Sequence, residues 1–157
     1  MPELAFEDLT PGRTFDLGTI TVDRDEMIAF ARRFDPQPFH LDDEAGKQSV
    51  FGDLAASGWF TASLWMRAYA DAVLLRSTSR ASPGGERIRW PAPVFGGDVL
   101  TPTLEILDAR RSRSRPEMGL VTLGARMHRG DTLVYSADFT GMFGVRDFAP
   151  DRWLEEG

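Results

Sequence analysis

The sequence contains no cysteine. Disulfides, thiolate metal ligands and cysteine nucleophiles are therefore excluded. Histidine is nearly as scarce, with two in 157 residues. His40 and His128 lie far apart and no thiol accompanies them, so a zinc site is not expected and no metal ligands are assigned. No apolar run approaches the roughly 18 residues that a membrane span requires. The opening MPELAFEDLTPG is acidic and lacks the basic start and apolar stretch of a signal peptide, which sets the expectation of a cytoplasmic protein. Internal repeats and low-complexity segments are also missing. Basic charge is in deficit, with 18 Lys and Arg against 24 Asp and Glu and a formal charge of −6. Such a chain is a poor general partner for nucleic acid.

What is present suits a packed protein. Hydrophobic residues make up 42% and aromatic residues 11% of the sequence, enough for a real core. The length fits one domain covering residues 1–157.

Alternation from Phe15 to Val22 predicts a short strand. Asp23, followed three residues later by Glu26, marks a helix start, and Met27, Ile28, Phe30, Ala31 and Phe34 recur at helical spacing. A helix over residues 24–34 follows. Pro36 and Pro38 end it and make DPQPFH a stiff, extended loop. A short helix is expected in LDDEAGKQ, with Asp42 or Asp43 at its start. The segment from Gly58 to Ser77 is the longest helical pattern; Ser57 suits its N-cap, and its apolar residues run round the circumference, predicting burial on nearly all sides. STSRASPGGE reads as a polar loop. Strands are expected at 87–90, 99–111, 119–129 and 132–145, with a tight turn at Arg129-Gly130-Asp131. Pro91 and Pro93 keep the segment before Gly96 out of a regular ladder, and the tail RDFAPDRWLEEG is expected at the surface. A helix apolar all round needs a wrap, and a curved antiparallel sheet supplies it. The fold class is therefore α+β, the hot-dog arrangement of a sheet curled around a long helix. Its exposed edge predicts a homodimer or larger homo-oligomer.

His128 reads as a half-exposed strand residue. His40 stands five residues after Asp35 in a proline-braced loop, and a carboxylate with an imidazole can hold and deprotonate a water. Burial beside Phe34 and Phe39 is expected to raise the pKa of Asp35, with the imidazole opposing that shift. Spacing alone leaves a second reading open, in which Asp35 caps a turn at Gln37 or Phe39 and His40 only packs.

The stretch FDPQPFHLDDEAGKQSVFGDLAASGWFTASL resembles the hydratase motif of the MaoC-like family, which includes (R)-specific enoyl-CoA hydratases. Asp35, Pro38, His40 and Ala45 match it, and Ser57-Gly58 stands where the family usually has His-Gly. Pro93, Val94, Gly97 and Asp98 resemble the family's later strand start. The resemblance covers roughly residues 8–145. It implies that Asp35 and His40 activate the water that adds to an enoyl thioester, and that the Gly58 amide binds the thioester oxygen. The physical logic is that hydration pushes negative charge onto that oxygen, while a first-turn helix amide offers a free donor and the positive end of a dipole. Gln37, Phe39, Ser57, Trp59, Met66 and Arg89 are the substrate-binding candidates; Gln37, Phe39, Ser57 and Met66 depart from the usual pattern. The implied activity is that of a hydro-lyase converting a trans-2-enoyl thioester to a 3-hydroxyacyl thioester. It needs no cofactor, coenzyme A entering only as part of the substrate. The alternatives are a hot-dog acyl-CoA thioesterase and a non-catalytic acyl-thioester-binding subunit. Arg87, Arg89, Arg110, Arg111, Arg113 and Arg115 are the basic residues able to meet a carrier's phosphates.

Overall fold

The computed structural model describes residues 2–146 and Phe148. Of the tail expected at the surface, only Arg146 and Phe148 fall among the described residues.

The predicted first strand is two short ones, β1 (Thr14–Asp16) and β2 (Ile20–Thr21). Gly18, at a φ of 93°, interrupts them in a conformation open to glycine. Helix α1 (Arg24–Phe34) has the predicted bounds, and the Asp23 side chain accepts from the Glu26 amide as its cap. The proline-rich loop is more compact than expected. Pro38–His40 form a single 3₁₀ turn, with the His40 amide donating to the Gln37 carbonyl. Helix α2 (Asp43–Gln48) starts at Asp42, whose carboxylate accepts from the Ala45 amide. Gly46 lets α2 press on the chain at Leu54, because a Cβ there would lie 2.5 Å from the Leu54 backbone nitrogen.

Helix α3 (Gly58–Ala72) is the long central helix. It is shorter than the pattern suggested, and Leu74–Arg76 follow as a separate 3₁₀ turn. Nor is it buried on all sides. Phe60, Thr61, Trp65 and Tyr69 face the sheet, whereas Trp59 and Met66 are 56% and 46% exposed. Apolar residues on both faces hid an ordinary amphipathic helix.

Strand β3 (Ser79–Arg89) occupies the segment expected to be mostly loop. Pro83, Gly84 and Gly85 disguise it, but it pairs with the last strand, Thr132–Gly144, through three register shifts. Proline and irregular pairing are both tolerated at a sheet edge. The remaining strands are β4 (Val99–Arg111), β5 (Met118–Arg129) and β6 (Thr132–Gly144), within a residue of prediction. The sheet order is β1-β4-β5-β6-β3, all antiparallel, with β2 also on β4. This is the hot-dog arrangement. The inner face of the sheet buries Leu100, Leu104, Ile106, Val121, Leu123, Ala125, Met127 and Tyr135 against α3. Trp65 ties helix to sheet: its ring stacks on Tyr69 and Phe139, and its Nε1 donates to the Thr103 carbonyl at 3.0 Å.

Candidate active site

The end of α1 delivers Asp35, which is the C-cap residue of that helix. The 3₁₀ turn then brings His40 back toward it. His40 is buried, and its ring packs edge-on against Phe39 and parallel to Phe51. Its Nδ1 lies 2.7 Å from the Ala55 carbonyl. A carbonyl can only accept, so Nδ1 carries the proton in that bond. The neutral ring then keeps its lone pair on Nε2. That Nε2 is 3.4 Å from Asp35 Oδ2.

The carboxylate is held from both oxygens. Gln37 Nε2 donates to Oδ1 at 2.7 Å, and Ser57 Oγ donates to Oδ2 at 2.7 Å. Asp35 also holds the turn at Gln37, whose amide donates to the Asp35 main-chain carbonyl at 2.8 Å, so the turn contact and the side-chain clamp coexist. Burial is the largest influence on the Asp35 carboxyl and pushes its pKa up. The bonds from Gln37 and Ser57 and the charge of His40 together outweigh burial, so the pKa is lowered from 3.8. The expectation of a raised value is thus corrected. It allowed for the imidazole but not for two donor side chains.

Ser57 occupies the N-cap position of α3, as expected, but its hydroxyl makes no capping bond. The next residue, Gly58, opens the helix where backbone amides have no intrahelical acceptor. Its lack of a side chain matters here. A Cβ would fall 2.7 Å from the Trp90 indole, which lies over the helix start.

His40 and Gly58 open into one cavity of about 380 Å³, completed by Val50, Phe51, Ala56, Thr61 and the wall Trp90, Pro91, Ala92, Pro93 and Val94. Asp35 lies just behind it, against His40 and Ser57. The wall is braced from outside. Arg129 Nη1 donates to the Pro93 carbonyl at 2.7 Å and to Asp98 Oδ2 at 2.8 Å, while the Phe95 amide donates to that same carboxylate oxygen. The Ala56 amide donates to the Val94 carbonyl at 2.8 Å, fastening the wall to the segment ahead of α3.

The sequence-assigned residues therefore separate by position. Asp35, His40, Gly58, Gln37 and Ser57 converge. Phe39 backs His40 without lining the cavity. Trp59 packs edge-on to Trp90 at 5.0 Å on the outer side, and Met66 and Arg89 stand outside the lining. Arg110 to Arg115 sit at the far end of the sheet. β4 starts beside the cavity wall and runs 13 residues to Arg111; at ~3.3 Å per residue that is about 40 Å. Sequence reasoning missed Thr61, Phe51 and the Arg129 brace. Only the helical phase of Thr61, one turn after Gly58, offered a signal. Among the described residues no group of three or more His, Cys, Asp or Glu is placed to hold a metal ion, and no helix is long and apolar enough to cross a membrane.

The fold and site together define a hot-dog protein with a carboxylate–imidazole pair at the mouth of its central helix. A family model described as the MaoC like domain matches residues 7–126, and the chain belongs to this MaoC-like dehydratase family. It is similar to a MaoC-like dehydratase from Rhodospirillum rubrum of known crystal structure, with 36% identity, a TM-score of 0.86, and coverage of 92% of this chain and 99% of that one. An uncharacterized protein of Bacillus subtilis (strain 168), YdeM, is 26% identical over 76% of this chain and 84% of its own length. The unliganded R-hydratase PhaJ1 from Pseudomonas aeruginosa shares the fold at a TM-score of 0.69 and 19% identity, covering 93% of this chain and 92% of that one.

Proposed function

We propose that this chain is a hydro-lyase that reversibly adds water across the double bond of a trans-2-enoyl thioester, giving a 3-hydroxyacyl thioester. The carrier is coenzyme A or a carrier protein. The observation that carries this reading is the Nε2 of His40 facing the Asp35 carboxylate beside a cavity that also holds Gly58. With Nδ1–H committed to Ala55, Nε2 of a neutral His40 ring and the Asp35 carboxylate, 3.4 Å apart, are two acceptors that meet. A shared donor satisfies both, and a water is the donor that hydration consumes.

In the proposed reaction the oxygen of that water bonds to C3. One of its protons passes to the dyad, and the C2–C3 π electrons move toward the thioester carbonyl. The Gly58 amide, at the positive end of α3, meets the charge that develops on the thioester oxygen. Proton delivery to C2 restores the thioester. The dyad ends as it began, so no metal or redox cofactor is required. We further assign the active unit as a single domain over residues 1–157, working in the cytoplasm as a homodimer or larger homo-oligomer.

The test is an assay of purified protein with trans-2-enoyl-CoA substrates of varied length. Loss of the enoyl absorbance and release of free thiol are followed together. Absorbance loss without thiol supports the hydro-lyase. Thiol release at an equal rate would make the chain a thioesterase, and neither signal would leave it a binding subunit.

A further inference from the structure

Ser57 does something its position does not call for. A serine at a helix N-cap ordinarily accepts from an amide two or three residues on. Ser57 instead sends its hydroxyl to Asp35 Oδ2, across 22 positions of sequence, at 2.7 Å. It does so in a fully buried setting, with 0% exposure. Its partner oxygen is the one that faces His40 Nε2. Gln37 also holds Asp35, but from an exposed position two residues away, where water competes for both groups. The Ser57 backbone, in turn, is the start of α3, since its carbonyl accepts from the Thr61 amide. Gly58 is the next residue.

We propose that Ser57 is a positioning residue: its buried hydroxyl ties the Asp35 carboxylate to the first turn of α3, fixing the water-handling pair relative to the amide that receives the thioester oxygen. Its functional consequence rests on the hydratase reading above; the tie itself does not. Addition of water needs the attacking oxygen and the developing oxyanion registered on one substrate, and these two groups come from different helices. The His40 Nδ1 bond to the Ala55 carbonyl ties the imidazole to the segment ahead of α3, and Ser57 ties the carboxylate to the first turn of the helix itself. A displacement of about 1 Å between such groups can cost ~100-fold in rate. The same hydroxyl also leaves the first amides of α3 uncapped by a side chain.

The test uses Ser57→Ala, with Ser57→Cys as a variant of nearly equal size and weak donor strength. In substrate-free protein, the Asp35 carboxyl is titrated by carbon-13 NMR. The midpoint is expected to rise in both variants, more in Ser57→Ala, while thermal melting shows the fold retained. In turnover, kcat is expected to fall about 10- to 100-fold with KM little changed, since binding contacts remain. An unmoved Asp35 midpoint together with unchanged kcat would overturn the proposal. Should the wild type hydrate no enoyl thioester, the hydratase reading fails, and the titration still decides whether Ser57 holds Asp35.

Discussion

Asp35 is an anion with a donor on each oxygen and an imidazole beside it. This fixes how the site responds to acid. The folded pKa is depressed below 3.8. Ionised Asp35 therefore contributes stability that is fully present above the unfolded value and is lost as pH falls through the folded one. The stability gap between wild type and Asp35→Asn, measured by denaturant unfolding, should hold across neutral pH and shrink only below the usual carboxylate range. A gap that instead shrank as pH rose from ~5 to ~7, above the ordinary Asp range, would mean that Asp35 is held neutral. At this scale the sequence exposed what lies close along the chain. Asp35 and His40 stand five positions apart around two prolines. The Ser57 hydroxyl reaches Asp35 from 22 positions away, and no local pattern encodes that contact. The pKa expectation failed because it allowed for neither donor: Gln37, the larger lowering influence, stands two residues away, and Ser57 is remote.

Among the elements, caps and prolines marked helix boundaries well. Asp23, Asp42 and Ser57 each sit at the start of the expected helix. Strand β3 stayed hidden because Pro83, Gly84 and Gly85 carry loop chemistry, and only an edge position makes them compatible with a ladder. The exposed face of α3 stayed hidden because Trp59 and Met66 are apolar yet uncovered in the single chain. The segment between β3 and β4 shows what the Gly97-Asp98 motif does mechanically. Asp98 accepts from the Phe95 amide and from Arg129, which also holds the Pro93 carbonyl. Asp98→Ala leaves a half-buried guanidinium and an amide without that partner, and is expected to cost about 2–3 kcal/mol in denaturant unfolding. KM should rise as the wall of the cavity loosens. A variant as stable as wild type would show that the brace is idle.

For the whole molecule, the antiparallel sheet around α3 followed from pattern, because even the one buried face of a long helix, Phe60, Trp65 and Tyr69, needs a sheet to cover it. Its outer surface was not legible. Ile88 near the end of β3, Trp90 just after it, Trp59 in the first turn of α3 and Met66 in the middle of that helix are all partly uncovered, and Trp59 packs on Trp90. Exposed aromatic and aliphatic side chains of this density suit an interface. Sedimentation of the wild type is expected to give a dimer or larger, with Ile88→Glu shifting it toward monomer. A monomeric wild type at high concentration would contradict the proposed assembly.

Asp35 and His40 are proposed to activate a water for addition to an enoyl thioester. The most direct test is the rate of enoyl absorbance loss with crotonyl-CoA for wild type, Asp35→Asn and His40→Ala, each checked for an intact fold. General acid–base groups of this kind contribute roughly 100- to 10,000-fold. A loss of that size is expected in each variant. Hydration at the wild-type rate in both variants would contradict the proposed role of the pair.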